Sequence, residues 1–213
     1  MKRILLTIFL MIYGTEYSKA QLSIDLNRIE TLAIDSTNTE FYFENLKEKF
    51  EKKPQELSQH QLQVLYYQPI NTLGSFKYDI STTGIYAKFK ELKFKKFIQE
   101  AEAKLEEMPA NLTILFLLSL AYGETKEGTS KANGYSKKFK VVLESLMNNK
   151  SLTDEDHLIE LNCVVDEYII LQILGLDSNS LNRTSKMSKD YIIDTYEKNG
   201  EKIHFKILRN NIF

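Results

Sequence analysis

The amino-acid sequence predicts an α+β fold in which helical hairpins come first and a small antiparallel β-sheet comes last. Between about residues 37 and 148, apolar residues recur at helical spacing between helix caps. From about 156 to 209, short apolar or alternating runs end in a hairpin around Asn199 and Gly200. Helices followed by strands are typical of the α+β class. We therefore expect residues 21–213 to form a single α+β domain.

The composition is that of a globular chain. The 213 residues are 43% hydrophobic and 27% charged, which is enough apolar material for one sizeable core. A formal net charge of −1 gives no electrostatic basis for binding nucleic acid. Disorder is not expected as the main state, and nucleic acid is not an expected partner.

Residues 1–20 have the organisation of a secretory signal peptide. Two basic residues precede an apolar run from Ile4 to Tyr13, and Ser18-Lys19-Ala20 places small side chains where signal peptidase cleaves. A transmembrane anchor is the alternative, but this run has only 10 residues, against the roughly 20 that cross a bilayer. We expect cleavage after Ala20 and an exported chain, periplasmic or extracellular, that begins at Gln21. It would have no transmembrane segment, and its 25 basic and 28 acidic residues would give a formal charge of −3.

Two capping boxes predict the first pair of helices. Thr37-Asn38-Thr39-Glu40 can cap a helix that should end near Lys53, because a proline follows and disfavours helical geometry before it. Ser58-Gln59-His60-Gln61 can cap a second helix, which should end at Gln68-Pro69. The stretch 70–84 is rich in Gly, Ser, Thr and Asn, which indicates a connector of 15 residues.

The next two predicted helices resemble a tetratricopeptide hairpin. The pattern from Ile85 to Met108 predicts one helix, and Asn111 can cap a second from Leu112 to Tyr122 that Gly123 closes in the left-handed conformation. The second helix would rise only about 16 Å, too little to cross a bilayer, and its Leu, Ala and Ser content favours a helix over a buried strand. Only one good copy of the motif is present, on Leu115, Leu118, Ser119 and Tyr122.

Three further elements precede the terminal hairpin. A helix is predicted from Tyr135 to Asn148 and a strand from Leu158 to Val164. A short helix is predicted from Asp166 to Leu174, with Asp166 as its cap and Gly175 as its closing residue.

The terminal hairpin is the most specific structural prediction. Two alternating strands, Lys189–Lys198 and Glu201–Leu208, flank the Asn-Gly pair that best suits a type I′ turn. Counting outward from the turn pairs Tyr196 with Ile203 and Ile192 with Ile207, and puts Phe205 on the same face. The helices should cover that face.

No motif in the sequence indicates a catalytic, cofactor or metal site. His60, His157 and His204 have no second ligand at metal-binding spacing in their own elements and are expected at the surface. Cys163 is the only cysteine and has apolar neighbours, so we expect a buried thiol. Glycine-rich phosphate loops and nucleophile motifs are also missing from the sequence. We expect no cofactor, and an enzyme is the less favoured interpretation.

Two groups of residues have both a functional and a structural interpretation. Asp166, Glu167 and Tyr168 could place two carboxylates in the cleft of a hydrolase or a carbohydrate-binding protein. A capping Asp166 with a solvated Glu167 explains them without a function and is the favoured interpretation. Tyr66 and Tyr67 could form a recognition surface, although aromatic residues at helical spacing more often belong to the core.

The many lysines between residues 88 and 96 could form a binding patch. Glu91 and Glu100 interrupt them, so the pattern favours a solvated helix face whose lysine stems cover apolar neighbours.

Four stretches in order resemble an exported family of Bacteroidetes proteins, the family of the domain of unknown function 4919. They are FYFENLKEKFEKKPQELSQHQLQVLYYQ, the Met108-Pro109 helix start with LFLLSLAYGE, VVDEYIILQILGL, and DYIIDTYEKNGEKIHFKI. The resemblance implies a periplasmic or outer-envelope location and a helical region followed by a small sheet. It implies no known activity.

These observations favour a non-enzymatic envelope protein whose helices and hairpin sheet form a surface for a protein or peptide partner. Helical-repeat scaffolds commonly present such surfaces. The alternative is the hydrolase or carbohydrate-binding protein with a cleft near Asp166 and Tyr168.

Overall fold

The computed structural model describes residues 25–125, 128–148, 150–154 and 157–210. The predicted signal peptide lies outside these residues. Within them, most of the helices come before a C-terminal sheet, which confirms the α+β prediction. The helices are α1 (Leu26–Ile34), α2 (Phe43–Lys52), α3 (Gln59–Leu73), α4 (Ser75–Lys90), α5 (Phe94–Leu105), α6 (Leu112–Gly123), α7 (Thr129–Met147) and α8 (Val164–Ile173). The strands are β1 (Ile159–Leu161), β2 (Asn182–Met187), β3 (Tyr191–Lys198) and β4 (Glu201–Leu208), and short 3₁₀ helices span Pro54–Glu56 and Ser178–Ser180.

The first helix is one that the sequence patterns do not predict. Asp25 caps α1 by accepting hydrogen bonds from the backbone N–H groups of Asn27 and Arg28, both at 3.1 Å. The predicted start of a helix at Thr37 is wrong, because the N–H and hydroxyl of Thr37 both bind the Asp35 carboxylate in a turn. Helix α2 starts only at Phe43, although it ends where predicted.

The predicted capping box at Ser58 is confirmed, but the predicted end of its helix is wrong. Ser58 and Gln61 exchange the two capping hydrogen bonds. Helix α3 then continues through Pro69 to Leu73. The last turn is held from outside the helix, since Ile70 is fully buried and the Asn71 amide donates to the Leu26 carbonyl at 2.9 Å.

The predicted connector 70–84 is wrong, because most of it belongs to α4. This helix buries Tyr78, Thr82 and Ile85 on one face. Thr82 is of a residue type common in loops, but here its hydroxyl donates to the Tyr78 carbonyl within the helix. The single helix predicted from Ile85 to Met108 is divided between α4 and α5 by a turn at Leu92, whose φ is +57°.

The predicted cap of α6 is confirmed. Asn111 accepts a hydrogen bond from the Ile114 N–H at 2.9 Å. The predicted left-handed closure at Gly123 is wrong, because Gly123 lies inside the last helical turn and Glu124 closes the helix. Helix α6 packs against α4, α5, α7 and α8, which explains why its apolar residues have no single face. The described residues include no helix that is both long enough and apolar enough to span a membrane.

The boundaries of the later helices also differ from those predicted. Helix α7 begins six residues before the expected Tyr135, because its polar first turn gives no apolar period. Helix α8 begins at Val164 with Cys163 at the cap position, so Asp166 lies in the first turn and is not the cap. Gly175 has a φ of +75° directly after α8, which confirms its predicted closing role.

The sheet has the order β1-β4-β3-β2. The hairpin pairs β3 with β4 in the predicted register, with Tyr196 opposite Ile203 and Ile192 opposite Ile207. Asn199 and Gly200 both have positive φ, as a type I′ turn requires. The sheet is mixed and not purely antiparallel, because the short strand β1 pairs in parallel with β4. Tyr196, Phe205 and Ile207 are buried in the core that the helices share.

Candidate functional site

The five residues for which the sequence left a functional interpretation open lie on two helices. Tyr66 and Tyr67 are on α3, and Asp166, Glu167 and Tyr168 are on α8. The first four are buried and Tyr168 is half-buried. Tyr66 and Tyr67 therefore belong to the core, and Glu167 is not solvated, because its carboxyl group bonds to an interior partner described below.

Asp166 is the centre of a network that joins three helices. Its Oδ2 accepts a hydrogen bond from the Tyr66 hydroxyl at 2.6 Å. Its Oδ1 accepts from the Thr113 hydroxyl at 2.7 Å and from the Thr113 N–H at 3.2 Å. Burial raises the pKa of Asp166, and the hydrogen bonds from Tyr66 and Thr113 oppose that rise. The carboxyl group therefore connects α8 to α3 and α6 in the interior.

The two tyrosines of α3 also hold the segment around β1. The Tyr66 hydroxyl accepts from the Asn162 N–H at 3.0 Å, and the Tyr67 hydroxyl donates to the Glu160 carbonyl at 2.9 Å. Cys163 follows directly, and burial raises the pKa of its thiol well above the ordinary value. A buried, protonated thiol is chemically inert, so these residues act as structural anchors.

Glu167 belongs to a second network, between α8 and the sheet. Its Oε2 accepts a hydrogen bond from the Tyr196 hydroxyl at 2.7 Å. Burial and the nearby Asp194 carboxylate raise the pKa of Glu167 well above its ordinary value. Among the described residues, its Oε1 has no hydrogen-bond donor. Burial thus favours the neutral form of the Glu167 carboxyl group beside the Asp194 carboxylate.

Arg183 on β2 closes the second network on its outer side. Its guanidinium pairs with Asp194, lies 4.0 Å from Glu167 Oε2, and donates to the Tyr168 hydroxyl at 3.3 Å. Asp194 is fully buried and also accepts from the Ser185 hydroxyl. The Arg183 side chain is 33% exposed, so this network reaches the surface at the edge of the sheet.

Sequence reasoning missed the strand half of this network. One signal was present for Asp194, because it lies between Ile192 and Tyr196 on the face that the hairpin register turns inward. No sequence pattern indicated a role for Arg183 or Ser185, since no strand was predicted at β2.

Strand β2 forms an exposed outer edge of the sheet. All six of its residues are exposed. The Ser188 N–H donates to the Tyr191 carbonyl at 2.8 Å. Because antiparallel pairing alternates, the backbone groups of Thr184 and Lys186 then point toward β3. Those of Arg183, Ser185 and Met187 point away, where no described strand pairs with them.

The opposite edge of the sheet is short and covered. Strand β1 has three residues, and all of them are buried. The buried Glu160 side chain pairs with Lys150 at 3.2 Å and with Lys206 at 2.8 Å. Only the β2 edge therefore offers a regular row of outward backbone groups within the described sheet.

The remaining candidate residues do not form a reaction centre. His60 and His157 are exposed as expected, and His157 contacts Asp154 at 2.6 Å. His204 is buried against Thr195 at 2.9 Å, so its expected surface position is wrong. In the part of the chain that the structure describes, no group of three His, Cys, Asp or Glu residues could hold a metal ion.

Most of the chain matches a known protein family. A family model described as "Domain of unknown function (DUF4919)" matches residues 27–211. Neither the curated proteins nor the solved structures gave a match.

Proposed function

The chain belongs to the DUF4919 family, whose description names no activity, and we propose that it is an exported, non-enzymatic interaction module. Its partner would be an extended segment of a protein or peptide that adds to the sheet beside β2. The observation that carries this proposal is the open edge of β2, six exposed residues long, with the backbone groups of Arg183, Ser185 and Met187 directed outward.

Addition of a strand to a free sheet edge is a common mode of peptide recognition, because backbone hydrogen bonds supply affinity without a deep pocket. Native proteins usually protect long edges with charged side chains, prolines, bulges or covering loops. Strand β2 carries Arg183 and Lys186, but it has no proline and pairs with β3 without a bulge. Its edge is therefore regular enough to accept another strand.

The charge of β2 favours an acidic partner. The strand contains Arg183 and Lys186 and no acidic residue. Asp194 and Tyr168 hold the Arg183 side chain in place, which fixes the inner face of the strand before a partner arrives. We expect the added segment to carry acidic side chains.

The alternative function, a hydrolase or carbohydrate-binding protein with a cleft at Asp166 and Glu167, has less support. Both carboxyl groups are fully buried and bond to interior hydroxyl groups of the protein. A carboxyl group that acts on a substrate must reach the proton it transfers. The buried networks favour a rigid scaffold instead.

The peptide proposal can be tested with residues 21–213 and a displayed library of acidic peptides. Selected peptides should slow amide hydrogen exchange of Arg183, Ser185 and Met187, because these N–H groups would become hydrogen-bonded. Ser185→Pro removes one outward donor at a position where an edge strand tolerates proline, and should weaken binding about tenfold. The matched control Ser185→Ala keeps the N–H and should change affinity by less than about threefold.

Two results would contradict the proposal. One is a Ser185→Pro variant that binds selected peptides as tightly as the unaltered protein. The other is exchange protection that falls on residues outside β2.

The export part of the proposal rests on the signal-peptide pattern of residues 1–20. Protein purified from the native host should begin at Gln21 when its N-terminus is sequenced. An intact Met1 on the mature protein in the cytosolic fraction would refute export.

A further inference from the structure

The outward face of α4 is unusually apolar. Six large hydrophobic residues are exposed in the described part of the chain, and three of them lie on α4 or the turn that follows it: Phe76 at 80%, Ile80 at 55% and Leu92 at 68%. Phe76 and Ile80 are four residues apart, so they lie on one side of the helix. The exposed Ala87 continues the same row. This row is opposite the buried residues Tyr78, Thr82 and Ile85.

Leu92 is exposed in a strained conformation. Its φ of +57° is in the left-handed region, which a side chain with a Cβ atom rarely adopts outside Asn and Asp. The turn directs this leucine toward solvent, where it buries little of its apolar surface. Strained backbone positions cluster at functional sites, so this exposed leucine is a candidate for contact with something outside the chain.

Positive charge surrounds this apolar row. The nine residues from 88 to 96 contain five lysines and one acidic residue, a net charge of +4 in a chain whose total is −1. All five lysines are exposed. By helical position, Lys77 and Lys88 lie on one flank of the row and Lys90 on the other. Positive charge is therefore concentrated beside the exposed hydrophobic residues of α4 and its following turn.

A surface depression lies at the start of α5, next to this turn. Its volume is about 490 Å³, and it is lined by Lys93, Phe94, Lys95, Lys96 and Gln99. Three ammonium groups around an open depression suit a phosphate-bearing group. Glu91 pairs with Lys93, and Glu100 pairs with Lys88 and Lys96, so these two carboxylates offset part of the positive charge. Five lysines against two carboxylates still leave a net positive charge between residues 88 and 100.

We propose that the outward face of α4, with the turn at Leu92, docks on an anionic membrane surface. Phe76, Ile80 and Leu92 enter the boundary between headgroups and acyl chains, while the flanking lysines contact lipid phosphates and keep their ammonium groups in water. Such binding is peripheral and needs no membrane-spanning helix. It does not depend on the peptide proposal, because it rests on different residues.

Vesicle sedimentation with residues 21–213 tests this proposal. The protein should bind vesicles of phosphatidylglycerol and phosphatidylcholine in equal amounts more tightly than vesicles of phosphatidylcholine alone, and salt should weaken the binding. Combined Lys90→Gln, Lys93→Gln and Lys95→Gln should weaken it at least about tenfold. The matched control Lys137→Gln with Lys140→Gln, on the exposed side of α7, should leave binding unchanged.

A second pair of variants separates membrane contact from folding. Leu92→Asn suits the left-handed conformation and removes the apolar side chain, so it should keep or raise the urea midpoint of unfolding while it weakens vesicle binding. Ile80→Gln should weaken binding without loss of helix, as checked by circular dichroism, whereas Met187→Gln on β2 should not.

Three outcomes would overturn the proposal. Equal binding to neutral and anionic vesicles would remove the role of the lysines, and complete competition by free inorganic phosphate would indicate a small-anion site. Sedimentation equilibrium that shows a dimer, dissociated by Ile80→Gln with no vesicle binding, would assign the face to a second copy of the chain.

Discussion

The hydroxyl of Tyr66 and the carboxyl group of Asp166, 100 positions apart in sequence, form a 2.6 Å hydrogen bond in the core. Tyr66→Phe should remove the donor and leave a buried carboxyl oxygen poorly satisfied, at a cost of about 1–3 kcal/mol in the free energy of unfolding. Urea denaturation measures this loss. Tyr86→Phe, at a half-buried position on α4, should change stability by less than about 0.5 kcal/mol. Equal effects of the two variants would mean that the bond to Asp166 contributes little.

Glu167 should make the protein less stable as the pH rises. Its folded pKa is raised above the ordinary value of 4.5 by burial and by Asp194, so the folded chain keeps a proton that the unfolded chain has released. The free energy of unfolding therefore falls with pH above about 4.5, by at most about 1.4 kcal/mol per pH unit for one proton. Asp166 acts in the same direction.

Glu167→Gln should flatten this pH dependence and raise stability relative to the unaltered protein at neutral pH. Urea midpoints collected across the range from acid to neutral pH measure both effects. Glu197→Gln, on the exposed end of β3, is the control and should keep the original slope. A Glu167→Gln slope equal to that of the unaltered protein would show that Glu167 does not hold a proton in the folded state.

The helix caps predicted from the sequence at Thr37 and at Ser58 should contribute differently to the free energy of unfolding. Ser58→Ala removes the oxygen that accepts the Gln61 N–H and should cost about 1 kcal/mol. Thr37→Ala, at an exposed turn that precedes α2, should cost less than about 0.5 kcal/mol. Thermal or urea unfolding of both variants distinguishes a true helix cap from a sequence that only resembles one. A larger loss at Thr37 would be inconsistent with the described start of α2.

Alanine substitutions at two glycines should change the free energy of unfolding in opposite directions. Gly200 has a φ of +86° in the hairpin turn, so Gly200→Ala should cost about 1–2 kcal/mol. Gly134 lies inside α7, and a Cβ atom added to it would have open space around it, so Gly134→Ala should stabilise the protein by about 0.5–1 kcal/mol. Urea midpoints of the two variants on either side of the parent value would agree with this prediction, whereas a stabilising Gly200→Ala would not.

The features that the sequence could predict are those that depend on neighbouring residues. The hairpin register follows from the Asn199-Gly200 pair and a strict period of two, and the cap at Ser58 follows from four consecutive residues. Helix α4 could not be predicted in this way, because Thr82 and Tyr78 are held by a distant residue. The Asn111 amide donates to the Tyr78 hydroxyl at 2.8 Å and to the Thr82 hydroxyl at 2.9 Å. Tertiary contacts thus outweigh a composition that is typical of loops.

The candidate site shows the same limit. Asp166 and Glu167 are adjacent in sequence, and their side chains bond in different directions, one to α3 and α6 and the other to the sheet. A sequence pattern can indicate that two carboxyl groups lie together on one helix. It cannot indicate that Arg183 meets one of them, because no strand is predicted at β2.

The reactivity of the single cysteine of this chain depends on whether the core is folded. Cys163 lies at the start of α8 with 1% of its surface exposed, so no oxidant or second thiol can reach it while the core is closed. In an oxidising compartment, a disulfide between two chains therefore forms only through molecules that have opened. Covalent dimers would come from molecules that had not folded or had opened, and they would form faster the more often the native core opens.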